Sequence, residues 1–290
     1  MRVLSLFDGI SCGHLALTRA KIPVTEYLAA EIDSFAESIS VKNYPGCRAK
    51  RIGDVKQIVS DSLGDVDLLI GGSPCQDLSL GSKYKRGITG ERSSLFWEYV
   101  RILEEVKPKY FLLENVRMSK ENQAIISKAL RVEPILINSA LVSAQNRRRL
   151  YWTNIPNVTQ PEDKGIILSD ILEPSTEPKY LAGQQLQDKY IGGKRLNPTY
   201  NSQANTVHLG DKFGTVCSGT HGYSCGYVPC PSGAGIRRLT PLEFERLQSL
   251  PDNYTQLAGI SDTQRYKMVG NCWNVDTVAH IFKHLKEDRL

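Results

Sequence analysis

The sequence predicts an α/β fold: a doubly wound, mostly parallel, Rossmann-like sheet with a small loop-rich β domain inserted after it. Three observations carry this. Over the first 155 residues short apolar runs alternate with helix-like stretches, the pattern of crossovers that place helices on both faces of a parallel sheet. From Ser175 to Ile236 that texture stops, with eight charged residues, ten glycines and weak apolar periodicity. From Thr240 helical patterning returns.

Taken in order, Arg2–Phe7 (RVLSLF) is a buried-strand run that stops at Asp8-Gly9, and residues 15–20 read as a helix. Residues 24–32 form a second strand ending in Glu31-Ile32-Asp33, and residues 35–41 a second helix. Val66–Ile70 (VDLLI) is a third strand, broken by Gly71-Gly72-Ser73-Pro74. Residues 94–106 are amphipathic, with Leu95, Tyr99, Ile102, Leu103 and Val106 on one helical face. Lys109–Leu113 (KYFLL), 135–142 and 150–153 supply further strands. In the glycine-rich stretch only runs such as 204–209 and 213–217 look strand-like. Thr240-Pro241-Leu242-Glu243 then opens a helix, with Thr240 as N-cap, Pro241 at the first position and Glu243 at the third. Residues 273–286 form a last helix with Val275, Val278, Ala279, Phe282 and Leu285 on one face. The expected organisation is one α/β domain over 1–174, completed by 265–290, with 175–264 as a separate loop-rich region and hinge.

The 290 residues are ample for a buried core, and 41% hydrophobic with 23% charged residues is ordinary globular composition. Fibrous and disordered classes are thereby excluded for most of the chain. No apolar run approaches the roughly 20 residues of a membrane span. The first residues turn polar too early for a signal peptide, so a cytoplasmic protein is expected. A net charge of +5 permits a polyanionic partner without requiring one.

Seven cysteines, an odd number spread along the chain, make a poor disulfide framework and fit a reducing compartment. Cys217, His221, Cys225 and Cys230 admit a zinc reading, but paired CxxC spacing is lacking. Scattered small residues in a loop-rich region are preferred, and no metal is expected.

Ligands of such sheets bind beyond the carboxyl ends of the strands. After the first strand, Phe7-Asp8-Gly9-Ile10-Ser11-Cys12-Gly13 combines small residues with a helix N-terminus, although an ordinary tight turn reads equally well. After the second, Glu31 can accept from ribose hydroxyls. Asp54 can accept from an exocyclic amine or merely cap a helix beginning at Val55. After VDLLI comes Pro74-Cys75-Gln76, a cysteine on a constrained turn and hence a candidate nucleophile. The next strand runs into Glu114-Asn115-Val116, and a carboxyl ending an apolar run is expensive unless used or paired. Gln145-Asn146-Arg147-Arg148-Arg149 adds three arginines, of which Arg148 reads as solvated.

This set resembles the DNA (cytosine-5) methyltransferases of bacteria and phages, in the family's order and over nearly the whole chain. Phe7-x-Gly9 matches its first S-adenosylmethionine (AdoMet) motif, with Glu31 and Asp54 in the second and third. Gly72-Ser73-Pro74-Cys75-Gln76 matches the nucleophile motif, Glu114-Asn115-Val116 the acid motif, and Gln145-x-Arg147-x-Arg149 the QxRxR element. Arg237-x-Leu239-Thr240 with Glu243, Arg246-Leu247-Gln248 and Pro251, then Met268-Val269-Gly270-Asn271 with Val275, match the last two. Ser11 and Cys12 replace two glycines of the first motif, and Gly13 is expected to supply the missing backbone freedom. Ser249-Leu250 replaces a Gly-Phe pair, and Cys272-Trp273 a smaller pair.

The resemblance implies methyl transfer from AdoMet, leaving S-adenosyl-L-homocysteine, to C5 of a cytosine flipped out of a specific duplex DNA sequence. It implies catalytic roles for Cys75, Glu114, Arg147 and Arg149. It further implies cofactor contacts from Phe7, Asp8, Gly9, Ser11, Gly13, Glu31, Ile32, Asp54, Val55, Pro74, Leu95, Asn271 and Trp273, with no metal. Base flipping needs a closing element, and residues 78–92 have a suitable composition, with Gly81, Gly87 and Gly90 beside Lys83, Lys85, Arg86 and Arg92. Those four, Gln76, Lys194 and Arg195 are the candidate DNA contacts. A monomer is expected, with a cognate restriction enzyme or, for an orphan or phage protein, none. Two rivals remain: a tRNA cytosine-5 methyltransferase, and a catalytically dead DNA-binding homologue.

Overall fold

The computed structural model describes residues 1–45, 50–74, 94–191, 207–218, 226–233 and 235–285. The chain divides into two compact units, one of residues 1–138, 148–160 and 277–290, the other of 139–147 and 161–276.

The first unit is built on a seven-stranded sheet. Its strands are β1 (Arg2–Leu6), β2 (Glu26–Ala30), β3 (Lys50–Arg51), β4 (Leu68–Gly71), β5 (Tyr110–Val116), β6 (Ile135–Asn138) and β7 (Arg148–Thr153), in the order β3-β2-β1-β4-β5-β7-β6. β1 to β5 pair in parallel, whereas β7 runs antiparallel to both β5 and β6. The expected doubly wound, mostly parallel sheet is present, and α1 (Cys12–Arg19), α2 (Ser34–Asn43), α3 (Leu95–Val106) and α4 (Lys120–Leu130) are its crossovers. Strands covered on both faces read as unbroken apolar runs. Leu4, Leu6, Leu69, Leu113 and Trp152 accordingly join Phe96, Tyr99 and Ile102 of α3 in one core.

The register decides where chemistry collects. Leu6 pairs with both Ala30 and Gly71, and Gly71 pairs with Leu113. The residues that follow this row, Phe7, Glu31, Gly72 and Glu114, therefore share the carboxyl edge of four adjacent strands. At Gly71 a Cβ would come within 3.0 Å of the Tyr99 ring and 3.1 Å of the Leu6 carbonyl, so glycine is what lets α3 approach the sheet.

The second unit contains α5 (Gln184–Ile191), the short ribbon β8 (Val228–Pro229) and β9 (Ile236–Arg237), α6 (Pro241–Leu247) and α7 (Asp262–Asn271), and α8 (Val275–Lys283) begins in it. Isolated bridges join Val207 to Tyr227 and Leu181 to Arg237, consistent with a loop-rich β region. The expected cap of α6 is present: the Thr240 hydroxyl accepts from the Glu243 N–H at 3.2 Å and the Glu243 carboxylate from the Thr240 N–H at 2.8 Å. The same carboxylate takes both guanidinium arms of Arg237 at 2.6 and 2.7 Å, with both side chains fully buried. A buried charge needs such a partner, which explains why Arg237 and Glu243 occur as a spaced pair.

Among the described residues no helix is long and apolar enough to cross a membrane, and no group of three or more His, Cys, Asp or Glu is placed to hold a metal ion.

Candidate active site

Cys75, Gln76, Lys83, Lys85, Arg86, Arg92, Lys194 and Arg195 lie outside the described residues, as do His221 and Cys225. The other candidates are described, and within the first unit they form two groups along the carboxyl edge of the sheet.

The first group surrounds the turn after β1. Phe7, Gly9 and Ser11 all have positive φ, 56°, 59° and 60°, a conformation that is uncommon and strained for Phe and Ser. The backbone freedom expected of Gly13 is thus taken up by Ser11, while Gly13 is an ordinary buried residue of α1. Ser11 is held there by its side chain. Its hydroxyl donates to Asp8 Oδ2 at 2.6 Å and lies 2.8 Å from the Ser40 hydroxyl. Asp8 is itself engaged by the Tyr27 hydroxyl at 2.6 Å and by Arg51 at 3.0 Å. Burial first, and the Asp8 charge second, hold the Tyr27 phenol well above its usual pKa, so it remains a donor. The Asp8 side chain is thus committed within the protein, leaving backbone as the ligand-facing part of this turn.

Across from that turn, Glu31 accepts from the Gly9 N–H at 2.7 Å and from the N–H groups of Ile32 and Asp33 at 2.8 Å each. Three backbone donors fix the carboxylate's orientation before any ligand arrives. Ile32 beside it is 79% exposed, an apolar surface suited to a flat base. A Cβ added at Gly9 would meet nothing within 4 Å. These residues fit an adenosine-type cofactor: a fixed acceptor for ribose hydroxyls, an open backbone turn and an apolar face. Asp54 caps a 3-10 turn through the Lys56 N–H at 3.0 Å, and Val55 is buried in the core. Both alternatives for Asp54 stay compatible, since a capping carboxylate keeps lone pairs to spare.

The second group lies at the ends of β4, β5 and β7. Glu114 pairs with Tyr151 and Val116 with Arg149, so the antiparallel pleat puts the Glu114 and Arg149 side chains diagonally on one face. They form an ion pair, Arg149 Nε to Glu114 Oε1 at 3.0 Å, with each side chain 12% exposed. Asn115, next along β5, donates through Nδ2 to the Ser73 hydroxyl at 3.1 Å and to its carbonyl at 3.4 Å. Ser73 and Asn115 are both buried, so β5 anchors the chain just before Pro74, which is half-buried, as is Leu95 at the start of α3. Sequence reasoning named the Glu114 motif without seeing that its asparagine ties down the turn leading to Cys75.

The remaining candidates belong to the second unit. Arg147 is buried and its guanidinium donates to three backbone carbonyls, Val216 at 2.9 Å, Cys272 at 2.9 Å and Gly270 at 3.4 Å. Gln145, also buried, accepts from the Val216 N–H at 2.9 Å and donates to the Leu247 carbonyl at 3.0 Å and to Gln248 at 3.1 Å. Gln248 in turn donates to the carbonyls of Val269 and Cys272. At Gly270 an added Cβ would collide with the backbone of Cys217 and Ser218. Motifs far apart in sequence are therefore stitched together by side-chain-to-backbone bonds. Asn271 is exposed at the end of α7 and Trp273, just beyond, is half-buried.

Arg147 is thus a residue that holds three segments together. Arg147→Met should lower unfolding free energy by about 3 kcal/mol, because buried carbonyls left without donors cost roughly 1–3 kcal/mol apiece. Denaturant unfolding monitored by tryptophan fluorescence measures this, and a loss below about 1 kcal/mol would contradict it.

Similarity to known proteins agrees with this architecture. The model of the C-5 cytosine-specific DNA methylase family matches residues 1–287. The Type II methyltransferase M1.ScrFI of Lactococcus lactis subsp. cremoris is 30% identical over 314 residues, covering 99% of this chain and 78% of the relative. The Type II methyltransferase M.NlaX of Neisseria lactamica is 28% identical over 309 residues, covering 98% and 96%. Two solved structures share the fold: the S. pombe Dnmt2 methyltransferase, with TM-score 0.76 at 21% identity, and the Entamoeba histolytica methyltransferase EhMeth, with TM-score 0.80 at 18% identity. Each covers 100% of this chain and 99% of its own. Because the family match runs from the first strand through the last described helix, the chain belongs to the C-5 cytosine-specific DNA methylases.

Proposed function

We propose that this methyltransferase modifies C5 of a cytosine turned out of a specific duplex DNA sequence, through a covalent bond between Cys75 and cytosine C6. The observation that supports it most is the largely shielded Glu114–Arg149 pair at the carboxyl edge of the sheet, beside the Asn115–Ser73 link that anchors the approach to Cys75.

The cytosine ring is a poor carbon nucleophile. In this reading Glu114, ion-paired in the free protein, takes up a proton as the base binds. The Cys75 thiolate then adds to C6, forming the C–S bond, while the Glu114 carboxylic acid passes its proton to N3 so that charge does not build up on the ring. Arg149 holds Glu114 at the angle this transfer needs. AdoMet, the methyl donor of the family, supplies an electrophilic methyl group to the C5 so activated. Loss of the C5 proton to a base and return of the N3 proton to the Glu114 carboxylate then accompany cleavage of the C–S bond, freeing the Cys75 thiolate and neutral 5-methylcytosine. Glu31, the turn at Gly9 and the exposed Ile32 bind the donor. Phe7, Ser11, Gly13, Asp54, Val55, Pro74, Leu95, Asn271 and Trp273 complete the proposed cofactor set. Residues 78–92 close on the DNA, and 175–264 supply the recognition region.

The test is incubation with AdoMet carrying a labelled methyl group and either duplex DNA or tRNA. Label in the duplex is expected, at a defined site located by methylation sequencing. Label only in tRNA, or none in either, overturns the proposal in favour of an RNA enzyme or an inactive homologue.

The cofactor site has its own measurement. Glu31→Ala should weaken AdoMet binding by roughly 10- to 100-fold, since a bond to a charged group contributes about 1.5–3 kcal/mol. An unchanged dissociation constant by calorimetry would remove Glu31 from the cofactor site.

A further inference from the structure

Arg51 has a place in the first unit that no motif marks. It ends the two-residue strand β3 and pairs in register with Ala29 of β2, the strand whose end carries Glu31. Its side chain crosses to the turn after β1, where Nη1 meets Asp8 Oδ2 at 3.0 Å and Nη2 meets the Ser11 hydroxyl at 3.4 Å. Asp8 and Ser11 bracket Gly9-Ile10, and Gly9 donates its N–H to Glu31 Oε2 at 2.7 Å. The guanidinium thus braces the turn after β1, while the backbone of Arg51 pairs with the strand that leads to Glu31.

The physical need for such a clamp comes from Ser11. Its φ of 60° and ψ of 38° are left-handed values that glycine adopts freely and serine does not. A glycine at this position would adopt the conformation freely. Here it must be enforced, and the available enforcers are the Ser11 hydroxyl's bonds to Asp8, Ser40 and Arg51. Asp8 is fully buried at its side chain and carries a charge that Arg51 offsets. Without that cation the anion–hydroxyl contact loses its support, and Ser11 is free to relax to negative φ. That relaxation breaks the Ser11 N–H bond to the Asp8 carbonyl at 3.2 Å, and the Asp8–Gly9 peptide so released is the one whose N–H reaches Glu31.

We propose that Arg51 is a positioning residue for AdoMet binding: through Asp8 it locks the serine-bearing turn in the left-handed form, and thereby the Gly9–Glu31 pair in its binding orientation. This rests on the reading that AdoMet binds at Glu31 and Gly9.

The test compares Arg51→Ala, Arg51→Lys, Ser11→Gly and the double variant Arg51→Ala/Ser11→Gly, with AdoMet titrated into each by calorimetry and thermal unfolding recorded alongside. Arg51→Ala should raise the AdoMet dissociation constant about tenfold, equivalent to about 1.4 kcal/mol. Arg51→Lys, with the charge but a single donor point, should fall between Arg51→Ala and the wild type. The decisive result is the double variant. With glycine at position 11 the turn needs no clamp, so Arg51→Ala should then change the dissociation constant less than about threefold. A purely structural Arg51 would lower the unfolding midpoint equally in both backgrounds and show no such rescue. A tenfold loss that persists beside Ser11→Gly, or an unchanged constant in Arg51→Ala, overturns the assignment. If Glu31→Ala also leaves the constant unchanged, the binding-site reading falls with it; if Glu31→Ala weakens binding and Arg51→Ala does not, only the role of Arg51 falls.

Discussion

Cys75→Ser should reduce methyl transfer to duplex DNA by about 10⁴-fold or more, the scale expected when a covalent nucleophile is removed, while AdoMet affinity stays within about twofold. A free thiol, with a pKa near 8.5, is a few per cent thiolate at neutral pH and is intrinsically a strong nucleophile. A serine hydroxyl in the same place stays protonated and has no general base assigned to it. The two readouts separate because the proposed donor site, Glu31 and the Gly9 turn, lies at the ends of β1 and β2, whereas Cys75 follows β4. Labelled methyl incorporation and calorimetry measure the two quantities. Residual transfer above about one-hundredth of wild type would show that the covalent route is dispensable, and an equal loss of AdoMet affinity would show that the variant had lost its fold.

Much of this architecture was legible because fully buried parallel strands have only one way to be apolar. RVLSL, LLIG and YFLLENV announce themselves as β1, β4 and β5, and the polar residues that stop them mark the sheet edge. Direction is another matter. The apolar run in 148–153 reads the same whether a strand runs parallel or antiparallel, so the reversal of β7, and with it the Glu114–Arg149 contact, exists only in the folded register. β3 is two residues long, too short to leave a periodic trace. α4, with four polar residues at its start, carries too narrow an apolar face to stand out beside α3.

The site shows the same division. A cysteine between Pro and Gln, a glutamate at a strand end and the order of the motifs all point to cytosine chemistry. The supports of those residues do not show in sequence, because each is a long-range contact of a common residue type. Arg51 reaches Asp8 across 43 positions and Asn115 reaches Ser73 across 42. The same holds for Arg147, for which the QxRxR match implied a catalytic role without showing that its side chain satisfies the carbonyls of Val216, Gly270 and Cys272. The sequence offers both arginines of the motif alike; only the folded contacts distinguish Arg149, which faces Glu114, from Arg147, which braces the second unit.

Glu114→Gln follows from that distinction and should lower turnover about 10³-fold, within the range expected for a general acid. The amide is nearly isosteric and can still hydrogen-bond, but it cannot deliver a proton to cytosine N3, so the adduct formed by Cys75 would leave charge on the ring. The substitution also removes the anion facing Arg149, whose side chain is only 12% exposed. Part of any loss could therefore be structural, since a cation deprived of its partner is destabilising. Two comparisons separate the effects. Arg149→Met removes the pairing but keeps the carboxyl, and should cost less turnover than Glu114→Gln. The AdoMet dissociation constant of Glu114→Gln should match the wild type, because Glu31 and Gly9 lie on other strand ends. A fall in kcat with an unaltered constant assigns Glu114 to the chemical step, and unchanged turnover would remove the carboxyl from the mechanism.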